Sequence, residues 1–122
     1  MRSKILSAAL VILFLFSASA CKKKLVVPAE LLGIWKTADS KYEGCFFEIK
    51  EDSLVIKTIE GSVDLNTITS LKKNKKLSTE ERSYYIILYT TPEKVENELS
   101  IYYYPNKKVI RFVNQEEITW TK

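Results

Sequence analysis

The chain has 122 residues, a net charge of +4 and no histidine. That length fits one small domain, the charge is too weak to imply nucleic acid, and the missing imidazole removes Ser-His-Asp triads, Cys-His nucleophiles and His-bearing zinc sites. Gly33, Gly44 and Gly61 are the only glycines and stand apart, so no Gly-rich phosphate loop exists.

At the start of the chain, Arg2 and Lys4 precede an apolar run from Ile5 to Phe16, followed by Ser17-Ala18-Ser19-Ala20. This is the layout of a secretory signal, and the run falls short of the about 20 apolar residues that a membrane-spanning helix needs. Ala18-Ser19-Ala20-Cys21 resembles the lipobox of bacterial lipoprotein signals, although Ala18 stands where that box favours Leu. The resemblance implies cleavage before Cys21 and alkylation of its thiol by a diacylglyceryl group carrying palmitate-type chains. An ordinary signal cut at Ala20, leaving Cys21 a plain thiol, is the alternative. The chain then divides into a signal peptide (1–20), a lipidated tether (21–27) and one domain (28–122). Loss of Arg2 and Lys4 brings the mature charge to about +2. Lys22-Lys23-Lys24 reads either as a solvated linker or as a basic cluster against anionic lipid, at about 1 kcal/mol per charge.

Pro28 to Gly33 places Pro where a helix begins and Gly where one ends, which predicts one short helical turn. From Trp35 onward Val, Ile, Thr, Tyr and Phe dominate between regularly spaced turn residues, so the domain reads as all-β. Cys45, Phe47 and Ile49 alternate with Glu48 and Lys50, and Glu51-Asp52 turns the chain toward Leu54-Val55-Ile56, which predicts a hairpin. After Glu60-Gly61, Val63 and Leu65 are expected on the face opposite Asp64 and Asn66, with a bulge near Thr67 bringing Ile68 into register. Residues 72–82 are almost wholly polar and read as a long loop. Ser83 to Thr91 is apolar or aromatic at nearly every position and reads as a central strand contacted on both faces. Leu99, Ile101 and Tyr103 alternate with Ser100, Tyr102 and Tyr104, and turns at Pro105-Asn106 and Asn114-Gln115 complete a meander. About eight strands with no covering helix must close on themselves or form two layers, and a small antiparallel up-and-down barrel is expected.

Leu32-Gly33-Ile34-Trp35, entered from a helical turn, resembles the G-x-W start of the lipocalin-like (calycin) barrels. The Phe46 to Ile56 run is similar to the second hairpin of small bacterial lipocalin-like lipoproteins, and Trp120 fits a last strand returning beside the first. The resemblance implies that Trp35 packs across a barrel floor. An eight-stranded barrel either fills its lumen with side chains or leaves room for one small ligand.

With no histidine to assist it, Cys45 reads as a small buried hydrophobe or as a partner in a mixed disulfide with another protein, not as a nucleophile. Neighbouring carboxylates in a strand point to opposite faces, so neither Glu80-Glu81 nor Glu116-Glu117 forms an acid-base pair. Tyr84, Tyr85 and Tyr89 on one strand and Tyr102, Tyr103 and Tyr104 on the next would lie side by side if those strands pair. Such an aromatic wall suits either a contact surface or ordinary cross-strand packing. Trp35, Tyr85, Tyr89, Tyr102, Tyr104 and Trp120 are the candidate ligand or interaction residues, Cys21 is the lipidation site, and no catalytic residue, metal ligand or cofactor is expected.

The expectation is a non-enzymatic envelope lipoprotein binding a small apolar or amphipathic ligand. Its alternative is an interaction module with a filled barrel, serving as an assembly factor or inhibitor. Expected partners are the membrane through Cys21 and either that ligand or an envelope protein. In a cell with two membranes, Lys22 after the lipidated residue resembles the sorting pattern for the outer membrane, facing the periplasm.

Overall fold

The computed structural model describes residues 25–122. The lipobox, Cys21 and the lysines behind it lie outside the described residues. The strands are β1 (Gly33–Thr37), β2 (Phe46–Ile49), β3 (Ser53–Lys57), β4 (Val63–Asn74), β5 (Ser83–Thr90), β6 (Glu96–Tyr104), β7 (Val109–Phe112) and β8 (Gln115–Thr121). They pair antiparallel in chain order, and β8 returns to β1, closing an eight-stranded barrel. Closure leaves no unpaired sheet edge, and among the described residues there is no long helix to cover one.

The alternation read from the sequence sets the inside. Phe47 lies opposite Trp35 and Ile56, and Ile49 lies opposite Leu54. Along β6, Ile101 and Tyr103 are buried and Leu99 is packed against the same core. Each large apolar side chain fully buried in this way contributes roughly 1.5–3 kcal/mol. On β5, Tyr85 and Ile87 point into that core, while Tyr84 and Ile86 are half-buried and Leu88 is exposed. Among the described residues no second layer covers the outer face of this strand; its hydrophobicity serves both sides of a single closed sheet.

β4 departs from the expected phase. Val63 and Leu65 are 57% and 60% exposed, whereas Asn66 is 2% exposed and shares the inner face with Ile68. The inward amide is satisfied because Asn66 Nδ2 donates to the Leu54 carbonyl at 3.0 Å, which removes most of the cost of burying it. The bulge falls between Ile68 and Ser70, later than expected, and brings Leu71 in opposite Ile87. Pairing also runs to Asn74, so the loop expected over 72–82 begins only at Lys75.

One end of the barrel is sealed. A 3-10 turn at Ala29–Leu31 carries Leu31 beneath the lumen, fully buried, and Leu25, Val27 and Leu32 pack against the same core. Trp35 crosses this floor and its Nε1 donates to the Leu31 carbonyl at 2.9 Å. Lys122 at the end of β8 closes over it from outside, donating to the carbonyls of Glu30 (3.2 Å) and Leu32 (2.9 Å), with its ammonium 5.2 Å from the centre of the Trp35 ring. Gly33 makes this approach possible: its φ is +130°, and a Cβ there would stand 2.7 Å from Lys122 Cδ.

Replacing Trp35 with Phe keeps a ring on the floor but strands the buried Leu31 carbonyl. Chemical denaturation should show a loss of about 1–3 kcal/mol for Trp35→Phe, and of about 3–5 kcal/mol for Trp35→Ala.

Candidate functional site

Above the floor the lumen narrows on three aromatic rings. Phe47, Phe112 and Trp120 meet with centroids 5.2–5.4 Å apart. Geometry of this kind adds about 0.5–1.5 kcal/mol per pair beyond simple burial. Beyond them, toward the end opposite the floor, the side chains part around a cavity of about 440 Å³. Its walls include Cys45, Ile56, Leu99 and the rings of Phe47, Phe112 and Trp120. Tyr42 and Ile59 line it from the β1–β2 and β3–β4 connections.

Few polar groups reach this space. The Tyr42 hydroxyl accepts from Gln115 Nε2 at 2.7 Å, which fixes the ring 6.0 Å from that of Trp120 and leaves the hydroxyl proton free to donate. Lys57, Thr58 and Glu60 stand in the lining, and Thr58 is tied to Ser62 across its own turn. Trp120 Nε1 is buried without a partner among the described residues. An apolar chamber with a sparse polar rim holds a hydrophobic body by burial and orients it by one or two hydrogen bonds.

Of the residues singled out in the sequence, Trp120 lines the cavity and Cys45 lies beside it as a buried free thiol. Trp35 belongs to the floor, Tyr85 is buried in the core and Tyr89 is packed against it, with no place in the cavity wall. The expected tyrosine wall is divided by the strand alternation. Tyr85, Tyr89 and Tyr103 turn inward, while Tyr84, Tyr102 and Tyr104 face out, as strictly alternating neighbours must.

The outer tyrosines are engaged by their own chain. The Arg82 guanidinium lies 3.7 Å from the centre of the Tyr102 ring and donates to Tyr104 Oη (3.1 Å) and to Glu116 Oε1 (3.2 Å). Tyr84 meets Tyr102 edge-on at 5.3 Å. The bond to Tyr104 is the largest of the effects that raise the Arg82 pKa further above its ordinary value. Glu116 is therefore an ion-pair partner on the outer wall, as a solvated charge would be, and is remote from the lumen chemistry.

Sequence reasoning missed most of the cavity wall. Phe47 and Leu99 carried the right alternation but nothing to mark them as lining rather than filling. Tyr42 sits in a 3-10 turn at Ser40–Tyr42 and Ile59 in a loop, where no periodicity signals direction. Comparison with family models, with curated proteins and with solved structures found no match for this chain.

Burial, first, raises the pKa of Tyr85, Tyr89 and Tyr103; nearby acids add to it, Glu30 at Tyr85 and Tyr103 and Asp64 at Tyr89. The neutral phenols are thus favoured by the fold. Their contribution is complete below the ordinary tyrosine value of 10.0 and is lost as pH rises through the folded values. Absorbance titration should show a tyrosine fraction ionising late, together with unfolding at alkaline pH.

Proposed function

We propose that this chain is a lipid-anchored envelope lipoprotein whose lipocalin-like barrel holds a small apolar or amphipathic ligand. The observation that carries the binding reading is the apolar cavity of about 440 Å³ opening opposite a sealed floor. Its size falls within the range of small-molecule sites, about 300–1,000 Å³. A ligand would lay its hydrocarbon part against Phe47, Ile56, Leu99 and Phe112, gaining about 25 cal/mol per Å² of apolar surface buried. Its polar end would remain at the rim, within reach of the Tyr42 hydroxyl and Lys57. The mostly apolar lining suits burial of such a ligand by a carrier or buffer.

The lipid reading rests on Ala18-Ser19-Ala20-Cys21 and its resemblance to a lipobox. Two or three acyl chains anchor durably where one holds only marginally. The cell envelope is the proposed location, with the outer membrane, periplasmic side, the destination in a cell with two membranes.

A second reading, an interaction module for an envelope protein, draws on the outward position of Tyr102 and Tyr104. Arg82 already occupies both, so their hydroxyl and ring are partly committed within the chain. The open cavity favours the first reading.

Native mass spectrometry of protein from cells should find a co-purified small molecule, and a fluorescent fatty acid should titrate to saturation. Leu99→Trp, which fills the cavity, should weaken that binding at least about tenfold, roughly 1.4 kcal/mol, with little change in unfolding. Non-saturable binding, or binding indifferent to Leu99→Trp, would contradict the cavity as the site. For the anchor, intact mass should show acyl chains on Cys21, and Cys21→Ser should move the protein from the membrane fraction to the soluble one.

A further inference from the structure

The sealed end of the barrel carries three exposed lysine pairs. β4 carries Lys72-Lys73 just before its last residue, Asn74, the loop behind it opens with Lys75-Lys76, and the β6–β7 turn holds Lys107-Lys108. In an up-and-down barrel these two connections lie at the same end as the 3-10 turn at Ala29–Leu31, and they are neighbours around its rim because β5 pairs with β6.

The chain enters the structure at this place. Leu25 and Val26 lie against the Thr69 to Lys73 stretch of β4, and Lys22-Lys23-Lys24 and Cys21 immediately precede them in sequence. The four-residue step from Cys21 to Leu25 can span at most about 14 Å. Acyl chains on Cys21 would therefore hold this end of the barrel, Lys72 and Lys73 first, near a bilayer, where surface charge acts over a Debye length of about 8–10 Å. Val26 and Leu77, 71% and 51% exposed, stand among these lysines and give the surface an apolar component.

The same end also holds acids: Glu30, Glu51-Asp52 in the β2–β3 turn, and Glu80-Glu81 further along the β4–β5 loop. None pairs with these lysines; the ion pair among the described residues is Arg82 with Glu116. The opposite end has the reverse balance. Its loops carry Asp39, Glu43, Glu60 and Glu93 against Lys41 and Lys94, so the exposed Ile59 and Val95 there sit beside acids.

We infer that the lysine-bearing side of the sealed end lies against an anionic lipid surface, with the cavity mouth turned away from it. A ligand would then enter and leave from the aqueous side. The inference rests on the proposed anchor for its place in the envelope, but the charge asymmetry that orients the barrel is a property of the described residues.

The test uses the lipidated protein reconstituted into vesicles of phosphatidylcholine alone or with phosphatidylglycerol. Fluorophores are placed at the sealed end (Asn106→Cys) or at the mouth (Glu93→Cys), Cys45 being buried, and a headgroup-borne lipid quencher is added. Quenching should be strong at position 106 and weak at 93, should deepen with phosphatidylglycerol, and should lose that dependence in high salt. Equal quenching at both positions, or stronger quenching at 93, would overturn the inference.

A second arm removes the anchor. Residues 22–122, which retain the whole described barrel, should sediment with phosphatidylglycerol vesicles at low salt. Lys75→Gln with Lys76→Gln should weaken this on the order of 25-fold, about fivefold per lysine. Absence of any such binding also overturns the inference. Loss of the lipidated protein from both kinds of vesicle, with the unanchored chain still binding the anionic ones, would sink the anchor reading alone.

Discussion

Everything in this barrel depends on closing the first strand against the last beneath a sealed floor. The seam itself is short, Lys36 facing Thr121 and Thr37 facing Trp120, and backbone pairing of that length is weak support for a closed sheet. The floor strengthens it. Trp35 on β1 binds the Leu31 carbonyl, and Lys122 from the end of β8 binds the carbonyls on either side of it, Glu30 and Leu32. Both strands are thereby fastened to the same 3-10 turn. Those carbonyls would otherwise be unpaired at the end of a short turn, so the contacts satisfy polar groups while they fix the seam.

The consequence is a lumen with unlike ends. At the floor, Leu31 and Trp35 are fully buried and joined by a hydrogen bond. Higher up, the ring cluster of Phe47, Phe112 and Trp120 forms a platform, and the connections that follow spread apart over it. Rings of this size have few rotamers and resist collapse, which allows an apolar space to persist beside them. The exterior is polarised in the same sense, lysine pairs toward the sealed end and acidic loops around the mouth.

Strands with one inner face were legible in the sequence because each inward position is apolar and each outward one is polar or tolerant. Cys45, Phe47 and Ile49 follow this rule, as do Leu99, Ile101 and Tyr103. The short turn before Gly33 follows from the Pro and Gly that bracket it, and Trp35 lies on the floor as the G-x-W resemblance implied. β4 was misread because its polar residue is the one that faces in: Asn66 finds a backbone acceptor that only the folded β3 provides. The tyrosines misled for a related reason, since runs of aromatic residues conceal the alternation that sorts Tyr103 inward and Tyr102 and Tyr104 outward. The cavity was invisible because it is defined by where side chains fail to meet, and part of its wall comes from Tyr42 and Ile59 in connections without periodicity.

The central claim is that the space above the ring platform is a ligand chamber and not an incompletely packed core. Anomalous diffraction from crystals grown with a brominated alkyl carboxylate tests this directly. The account predicts bromine among Phe47, Ile56, Leu99 and Phe112, with the carboxylate toward Tyr42 and Lys57. Bromine found only outside the barrel, with side chains from the mouth loops filling the chamber, would contradict it.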